Sequence, residues 1–151
     1  MTIQNQIERA RKAFEQISDY TQEQVDKLVY EGAKIIYENA KPLAKMAVEE
    51  TRLGDYESKI GKNEGTAAAF WDYLKDKKSV GIINEDPSIG LIEAAHPIGV
   101  IGCITPATNP TVTPLGNFMH AVKCKNAVII SPAPRAEKRS EERRVGKECR
   151  S

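Results

Sequence analysis

A single asparagine stands in a proline-stiffened loop, in the stretch GCITPATNPTVTP at residues 102–114. Asn109 lies between Thr108 and Pro110, and a proline holds the residue before it in an extended conformation. A carboxamide held in this way can donate an N–H to a negatively charged oxygen. The same pattern is typical of a turn asparagine that bonds its own backbone, and spacing alone favours this second interpretation.

The cysteines and histidines form no comparable pattern. Cys103 falls inside an apolar run, where cysteine is usually an inert core residue. Cys124 lies between two lysines, a setting that can activate a thiol, but a surface helix end without function is the better interpretation. His120 and Cys124 are four residues apart, the spacing of half a metal site, and no other ligands accompany them. The sequence therefore predicts no metal.

Helical periodicity dominates the first half of the chain. Apolar residues recur at helical spacing near the N-terminus and again after Thr21, which forms a capping-box pattern with Gln24. Pro42 suits the first turn of a third helix, and a fourth apolar stripe follows. Residues 1–78 are therefore predicted to be a helical segment.

The periodicity then changes. SVGII and GLIEAA are short β-prone runs around a turn, and GVIGCI at 99–104 is continuously apolar, as expected of a strand covered on both faces. Thr113 and Pro114 are suited to start a helix, and AVIIS at 127–131 is a second buried strand. This is a βαβ unit with parallel strands, so residues 79–136 are predicted to begin an α/β domain.

Both strands of the βαβ unit end in proline-rich loops, TPATNPT and SPAPRA. In open α/β sheets, ligands bind beyond the carboxyl ends of the strands, beside the helix N-termini. We therefore expect a cofactor at this edge. The glycine-rich dinucleotide fingerprint is absent, since Gly99 and Gly102 fall within the first strand, so a dinucleotide would bind in another manner.

The composition excludes several functional classes. The 151 residues carry a net charge of +1, with 40% hydrophobic and 28% charged residues, a globular composition that gives no indication of a nucleic-acid partner. No run approaches the ~20 apolar residues of a membrane span. Three cysteines without framework spacing indicate a reducing compartment, the cytoplasm.

The stretch from Leu43 to Ala136 resembles the N-terminal part of the aldehyde dehydrogenase superfamily, most closely its CoA-acylating branch, which includes acetaldehyde and sulfoacetaldehyde dehydrogenases. The residues that carry the resemblance are, in order, MAVEET, KN at 62–63, VGIINED, PIGVIGCITPATNPT, KNAVIISP and PRA. The resemblance implies an α/β fold in which a helical lead-in precedes the first βαβ unit of a Rossmann-like NAD(P)-binding domain, here incomplete.

The resemblance also implies a role for the loop asparagine. In this family an active-site cysteine attacks a small aldehyde, hydride passes to NAD or NADP, and coenzyme A takes the acyl group. Asn109 would donate to the resulting oxyanion, which reverses the preference from spacing alone. Arg135 is a candidate for a phosphate contact. The full-length enzyme is expected to be a homo-oligomer.

Five further residues are expected beside the cofactor, on the same resemblance. Those at the nicotinamide end are Thr105, Pro106 and Thr108. Ser131 and Pro132 would flank the adenosine end. The sequence does not distinguish NAD from NADP.

The chain departs from the family pattern in three ways. Ala133 stands where this branch commonly has histidine, and Arg52 stands where glycine is usual. The family's nucleophilic cysteine follows the second strand, and none of Cys103, Cys124 and Cys149 has that context. The chain is therefore expected to be an inactive N-terminal fragment of an acylating aldehyde dehydrogenase.

Residues 137–151, EKRSEERRVGKECRS, contain ten charged residues in fifteen and lack the apolar stripe of a packed helix. We interpret them as a non-native tail on a truncated reading frame, the alternative being a genuine partner-binding tail.

Two other functions fit parts of the sequence. One is a non-acylating aldehyde dehydrogenase, although those enzymes usually have an aromatic residue where this chain has Thr108. The other is a non-enzymatic helical interaction module with a degenerate α/β remnant. In every case two parallel strands leave an open edge and an uncovered face, so the isolated chain is expected to be marginally stable, prone to aggregate or dependent on a partner.

Overall fold

The computed structural model describes residues 2–134, so Arg135 and the tail at 137–151 lie outside the described residues. The helices of this part of the chain are α1 (Ile3–Ile17), α2 (Gln22–Glu38), α3 (Ala40–Thr51), α4 (Tyr56–Leu74) and α5 (Val112–Lys123). The strands are β1 (Gly81–Asp86), β2 (Leu91–Ala95), β3 (Val100–Thr105) and β4 (Ala127–Pro132). None of these helices combines the length and the apolar character that crossing a bilayer requires.

Local signals start α2 and α3 where the sequence predicts them, and a further local signal starts α4. The capping box of α2 is present: Thr21 Oγ1 accepts from Gln24 N, and Gln24 Oε1 accepts from Thr21 N at 2.9 Å. Pro42 lies in the first turn of α3. Asp55 caps α4 by accepting from Ser58 N at 2.9 Å. The side chains of Thr21, Gln24 and Asp55 accept from backbone N–H groups that a helix start leaves without an intrahelical partner.

The core lies where α2, α4 and α5 pack together, and the apolar stripes of these helices supply it. Its buried residues are Val29, Ala33 and Ile36 of α2, Ala67 and Leu74 of α4, and Leu115, Met119 and Val122 of α5. Leu28 and Ile35, two further apolar residues of α2, are 36% and 40% exposed. Successive residues point about 100° apart around a helix, which places these two at the margins of the packed face.

Two glycines let the core helices approach closely. A Cβ on Gly32 would lie 2.4 Å from Phe118 Cε1, and a Cβ on Gly116 would lie 2.9 Å from Phe70 Cε2. Non-bonded carbon atoms do not approach so closely at equilibrium. Each phenyl ring therefore occupies space that any residue other than glycine would fill.

The strands form two separate pairs. β1 and β2 make an antiparallel hairpin, while β3 and β4 are parallel, in a register that runs from Val100 opposite Ala127 to Thr105 opposite Pro132. Since α5 connects β3 to β4, the predicted βαβ unit is confirmed. Asn126, which is buried, accepts from the backbone of the segment before β3 and so holds the two strand starts together.

Two details of this unit differ from the prediction. The helix begins at Val112, with Thr111 as its N-cap, and not at Pro114. The Thr113 N–H already donates to the carbonyl of Asn109 at 3.4 Å, so the chain turns earlier. Pro114 is tolerated in the first turn, where its missing N–H is not needed.

The second difference concerns how far β3 is buried. Ile104 is 88% exposed, so this strand is not buried on both faces as its apolar sequence suggested. Full burial of a parallel strand requires neighbouring strands and helices on both faces. Within the described chain β3 pairs with β4 alone, which agrees with the expected open edge and uncovered face.

Candidate functional site

The loop between β3 and α5 leaves the sheet at its carboxyl edge, beside the segment that follows β4. Thr105 lies opposite Pro132 in the ladder, and the Ala133 N–H donates to Thr105 O at 3.0 Å. The two proline-bearing segments therefore start at the same level, as the sequence predicts. This is the edge at which α/β sheets bind ligands.

Asn109 is half-buried at the middle of this loop. Its Oδ1 accepts a hydrogen bond from Lys62 Nζ at 2.6 Å. An ammonium group has donors only, so this contact fixes which end of the carboxamide faces α4. The oxygen is thus engaged by another element, within the described chain, rather than by the backbone of its own turn. The amide Nδ2 is the end that can donate elsewhere.

Lys59 holds the same loop at a neighbouring point. Its Nζ donates to the carbonyl of Thr108 at 2.9 Å. Lys59 and Lys62 are three residues apart on α4 and therefore project from one side of the helix. We call these two residues the lysine clamp, because one holds the backbone of the loop and the other holds the side chain of Asn109.

The helix that carries the lysine clamp is itself fixed to α3. Asn63 is 2% exposed, and its Nδ2 donates to the carbonyl of Ala40 at 3.1 Å. Adjacent residues of α4 thus have different tasks: Lys62 reaches the loop, and Asn63 sets the position of α4 against the start of α3. The family resemblance included this KN pair, but spacing in the sequence gave no indication of either contact.

The crevice between α4 and the loop is small. Its volume is about 10 Å³, and its lining includes Lys59, Lys62, Asn63 and Asn109. A cavity of that size holds at most about one water molecule. The described chain therefore presents Asn109 on one wall of a site and does not enclose a substrate.

The structure brings the five predicted cofactor residues to the carboxyl edge with different exposure. Pro106, Thr108 and Ser131 are exposed, and Pro132 is half-buried. Thr105 is only 2% exposed, so its side chain packs inside and supports the loop. In open α/β sheets, dinucleotides bind at the carboxyl ends of parallel strands.

Neither cysteine of the described chain is suited to act as a nucleophile beside Asn109, since Cys124 lies at the end of α5 opposite the one that follows the Asn109 loop. Cys103 is half-buried in β3, and burial raises the pKa of its thiol, which reduces the reactive thiolate fraction. Cys124 is exposed at the end of α5.

His120 is engaged by its own helix, with Nδ1 2.7 Å from Gly116 O, and its ring meets Phe70 edge-on. Residues 2–134 contain no cluster of three His, Cys, Asp or Glu side chains suited to a metal ion.

The sequence model of the aldehyde dehydrogenase family matches residues 1–140. The chain belongs to this family. It is 46% identical over 138 residues to succinate-semialdehyde dehydrogenase (acetylating) from Clostridium kluyveri, a match that covers 91% of this chain and 30% of that protein. The recognition made from the sequence is therefore confirmed.

Solved structures give the same result. The acetylating aldehyde dehydrogenase from Geobacillus thermoglucosidasius matches with a TM-score of 0.91 at 40% identity, over 96% of this chain and 32% of that one. Propionaldehyde dehydrogenase from Rhodopseudomonas palustris, solved with bound propionyl-CoA, matches with a TM-score of 0.74 at 31% identity, over 92% and 30%. The predicted fold class is confirmed, and the chain spans about a third of the length of these relatives.

Proposed function

We propose that this chain supplies the oxyanion-stabilising loop and part of the NAD(P) site of a CoA-acylating aldehyde dehydrogenase. The whole enzyme oxidises a short aldehyde with NAD⁺ or NADP⁺ and transfers the acyl group to coenzyme A. The observation that supports this most is the orientation of Asn109, whose oxygen is taken by Lys62 and whose N–H end is thereby left to donate.

The proposed task of Asn109 is electrostatic. When a thiolate adds to an aldehyde carbonyl, negative charge develops on the carbonyl oxygen. An N–H donor held in place before the reaction stabilises that charge without having to reorganise. Because burial raises the pKa of the Cys103 thiol, we assign the attacking thiolate to a part of the enzyme other than β3.

The proposed cofactor contacts lie at the carboxyl edge of β3 and β4. Pro106 and Thr108 line the nicotinamide end, supported from within by the buried Thr105, and Ser131 with Pro132 flanks the adenosine end. Bound NAD(P)⁺ supplies the hydride acceptor. Coenzyme A is the acyl acceptor, a role supported by the acetylating relatives and by the relative solved with propionyl-CoA.

The proposed setting is the cytoplasm, because the cysteines of the described chain are free thiols and free thiols persist in reducing compartments. We propose a homo-oligomer for the whole enzyme, as the family resemblance implies. The near-neutral charge gives no reason to propose a nucleic-acid or membrane partner.

A grafted enzyme tests the role of Asn109. Residues 1–134 replace the matching region of the Clostridium kluyveri enzyme, and turnover is measured with succinate semialdehyde, NAD⁺ or NADP⁺, and coenzyme A. We expect Asn109→Ala to lower kcat about 10²- to 10³-fold, the loss typical of removing one oxyanion donor. The matched control is Asn84→Ala, in the exposed β1–β2 hairpin, which should keep kcat.

Two results would contradict the proposal. One is a folded Asn109→Ala enzyme with kcat within about twofold of the parent, because that ratio corresponds to a negligible change in activation free energy. The other is turnover that proceeds equally well without coenzyme A, which would indicate an enzyme that releases the free acid.

A further inference from the structure

The contact between Lys62 and Asn109 joins two elements that are 47 residues apart in sequence. Its length of 2.6 Å is slightly below the about 2.7–2.9 Å of a charge-assisted N–H···O hydrogen bond, a class roughly twice as strong as a neutral one. The loop proline does not provide this restraint. Pro110 limits the backbone of Asn109, but it leaves the side-chain torsions free.

A free carboxamide is a poor oxyanion donor. Rotation about the last torsion of asparagine is broad and roughly two-fold, so an unrestrained amide would present its oxygen about as readily as its nitrogen. The oxygen would repel the developing negative charge. A cation bonded to Oδ1 removes that alternative, because turning the amide over would place two donors against each other.

The ammonium group also strengthens the donor that remains. Hydrogen bonds arranged in series polarise one another. A positive charge on the oxygen side of the amide draws electron density from the nitrogen side and makes its N–H a better donor. Lys62 thus has two effects on the same N–H, one geometric and one electronic.

From these contacts we propose that Lys62 is a positioning residue that orients and polarises the Asn109 carboxamide for oxyanion stabilisation. The inference rests on the proposed function of Asn109. Lys59 has a different task, because it holds the Thr108 carbonyl and therefore the loop backbone. Since Lys62 is exposed, its contact contributes little to folding stability, and its effect is expected in turnover.

The first test is a double-mutant cycle in the grafted enzyme. We expect Lys62→Met to lower kcat about tenfold, the loss that corresponds to one charge-assisted hydrogen bond, with KM for the aldehyde unchanged. In the Asn109→Ala background Lys62→Met should have no further effect, because residues that act through one another are not additive. Lys62→Arg should restore most of the activity. The matched control is Lys45→Met, an exposed lysine of α3 that pairs with Glu49.

The second test uses the 151-residue chain itself. The side-chain ¹⁵N resonance of Asn109 reports the mobility of its carboxamide. We expect an order parameter typical of an ordered group, which falls below about 0.6 in Lys62→Met and is recovered in Lys62→Arg. Lys45→Met should leave the Asn109 resonance where it is.

The outcomes separate this inference from the function on which it rests. If Asn109→Ala leaves kcat unchanged, the oxyanion role fails, and the inference fails with it. If Asn109→Ala lowers kcat but Lys62→Met does not, or lowers it equally in both backgrounds, only the role of Lys62 is overturned. A Lys62→Met enzyme that fails to fold would also overturn it, by showing that the contact is structural.

Discussion

Thr105 and Pro132 lie opposite each other at the last rung of the parallel β3–β4 ladder, and Thr105 O accepts from Ala133 N immediately beyond it. This pairing places the loop that carries Asn109 and the segment after β4 at one level of the sheet. The α4 helix then reaches the loop from the side through the lysine clamp. The chain therefore builds one wall of the candidate site from three elements of the fold.

The 151-residue chain alone is expected to show no aldehyde dehydrogenase activity. Burial raises the pKa of the Cys103 thiol, and Cys124 lies at the carboxyl end of α5, opposite the end that follows the Asn109 loop. Incubation with aldehyde, NAD⁺ and coenzyme A, followed by NADH absorbance, provides the measurement, with the grafted enzyme as the positive control. Turnover that depends on coenzyme A and exceeds the buffer blank would contradict this expectation.

Two glycines on core helices should respond to alanine in opposite ways. Gly32→Ala places a Cβ 2.4 Å from the Phe118 ring, and overpacking costs about 1–3 kcal/mol, which exceeds the gain in helix propensity. Gly65 of α4 has open space at its Cβ position, so Gly65→Ala should stabilise the fold by about 0.5–1 kcal/mol. Urea unfolding measures both. Equal stability of the two variants would show that Phe118 does not lie against α2.

The elements of this fold were predictable where their signals are local. The Thr21–Gln24 capping box spans three residues, and its sequence pattern specifies its hydrogen bonds. The start of α5 was misplaced by two residues, because Thr113 and Pro114 fit a helix start as well as Thr111 does. A local sequence pattern does not distinguish between neighbouring helix starts. The start is fixed by hydrogen bonds of the folded chain, such as the one from Thr113 N to Asn109 O.

The candidate site was predictable only in part, for the same physical reason. The loop at the carboxyl edge followed from the alternation of strand, helix and strand. The lysine clamp did not, because its contacts depend on how α4 packs against a loop 47 and 49 residues away. The close contact of Gly116 with Phe70 was equally hidden. A helical glycine is unfavourable locally, and only the neighbouring helix explains it.

The N-cap of α4 should make stability depend on pH in the acid range. Asp55 accepts a hydrogen bond from the Ser58 N–H, and this bond lowers the pKa of the Asp55 carboxyl below its usual 3.8. A carboxyl whose pKa is lower in the folded state stabilises the fold above pH 3.8 and loses that contribution as the pH falls through the folded-state value. Asp55→Asn keeps a capping oxygen but cannot titrate.

Unfolding by urea at about pH 6 and at about pH 3 measures this contribution of Asp55. The parent chain should lose more stability between the two conditions than Asp55→Asn does, because all other acidic groups titrate in both proteins. Parallel pH profiles for the two chains would contradict this prediction. They would show that the ionised Asp55 side chain caps α4 no better than the protonated one.

The isolated chain is expected to self-associate through its uncovered strands. In the described chain β3 pairs with β4 alone, and Ile104 is 88% exposed. Open strand edges with apolar side chains promote edge-to-edge pairing, and a lysine on such an edge opposes it. Sedimentation velocity over a range of concentrations should show oligomers that Ile104→Lys reduces. Ile3→Lys is the matched control, since Ile3 is 66% exposed on α1, where no strand edge is open. A parent chain that stays monomeric at every concentration would refute the expectation.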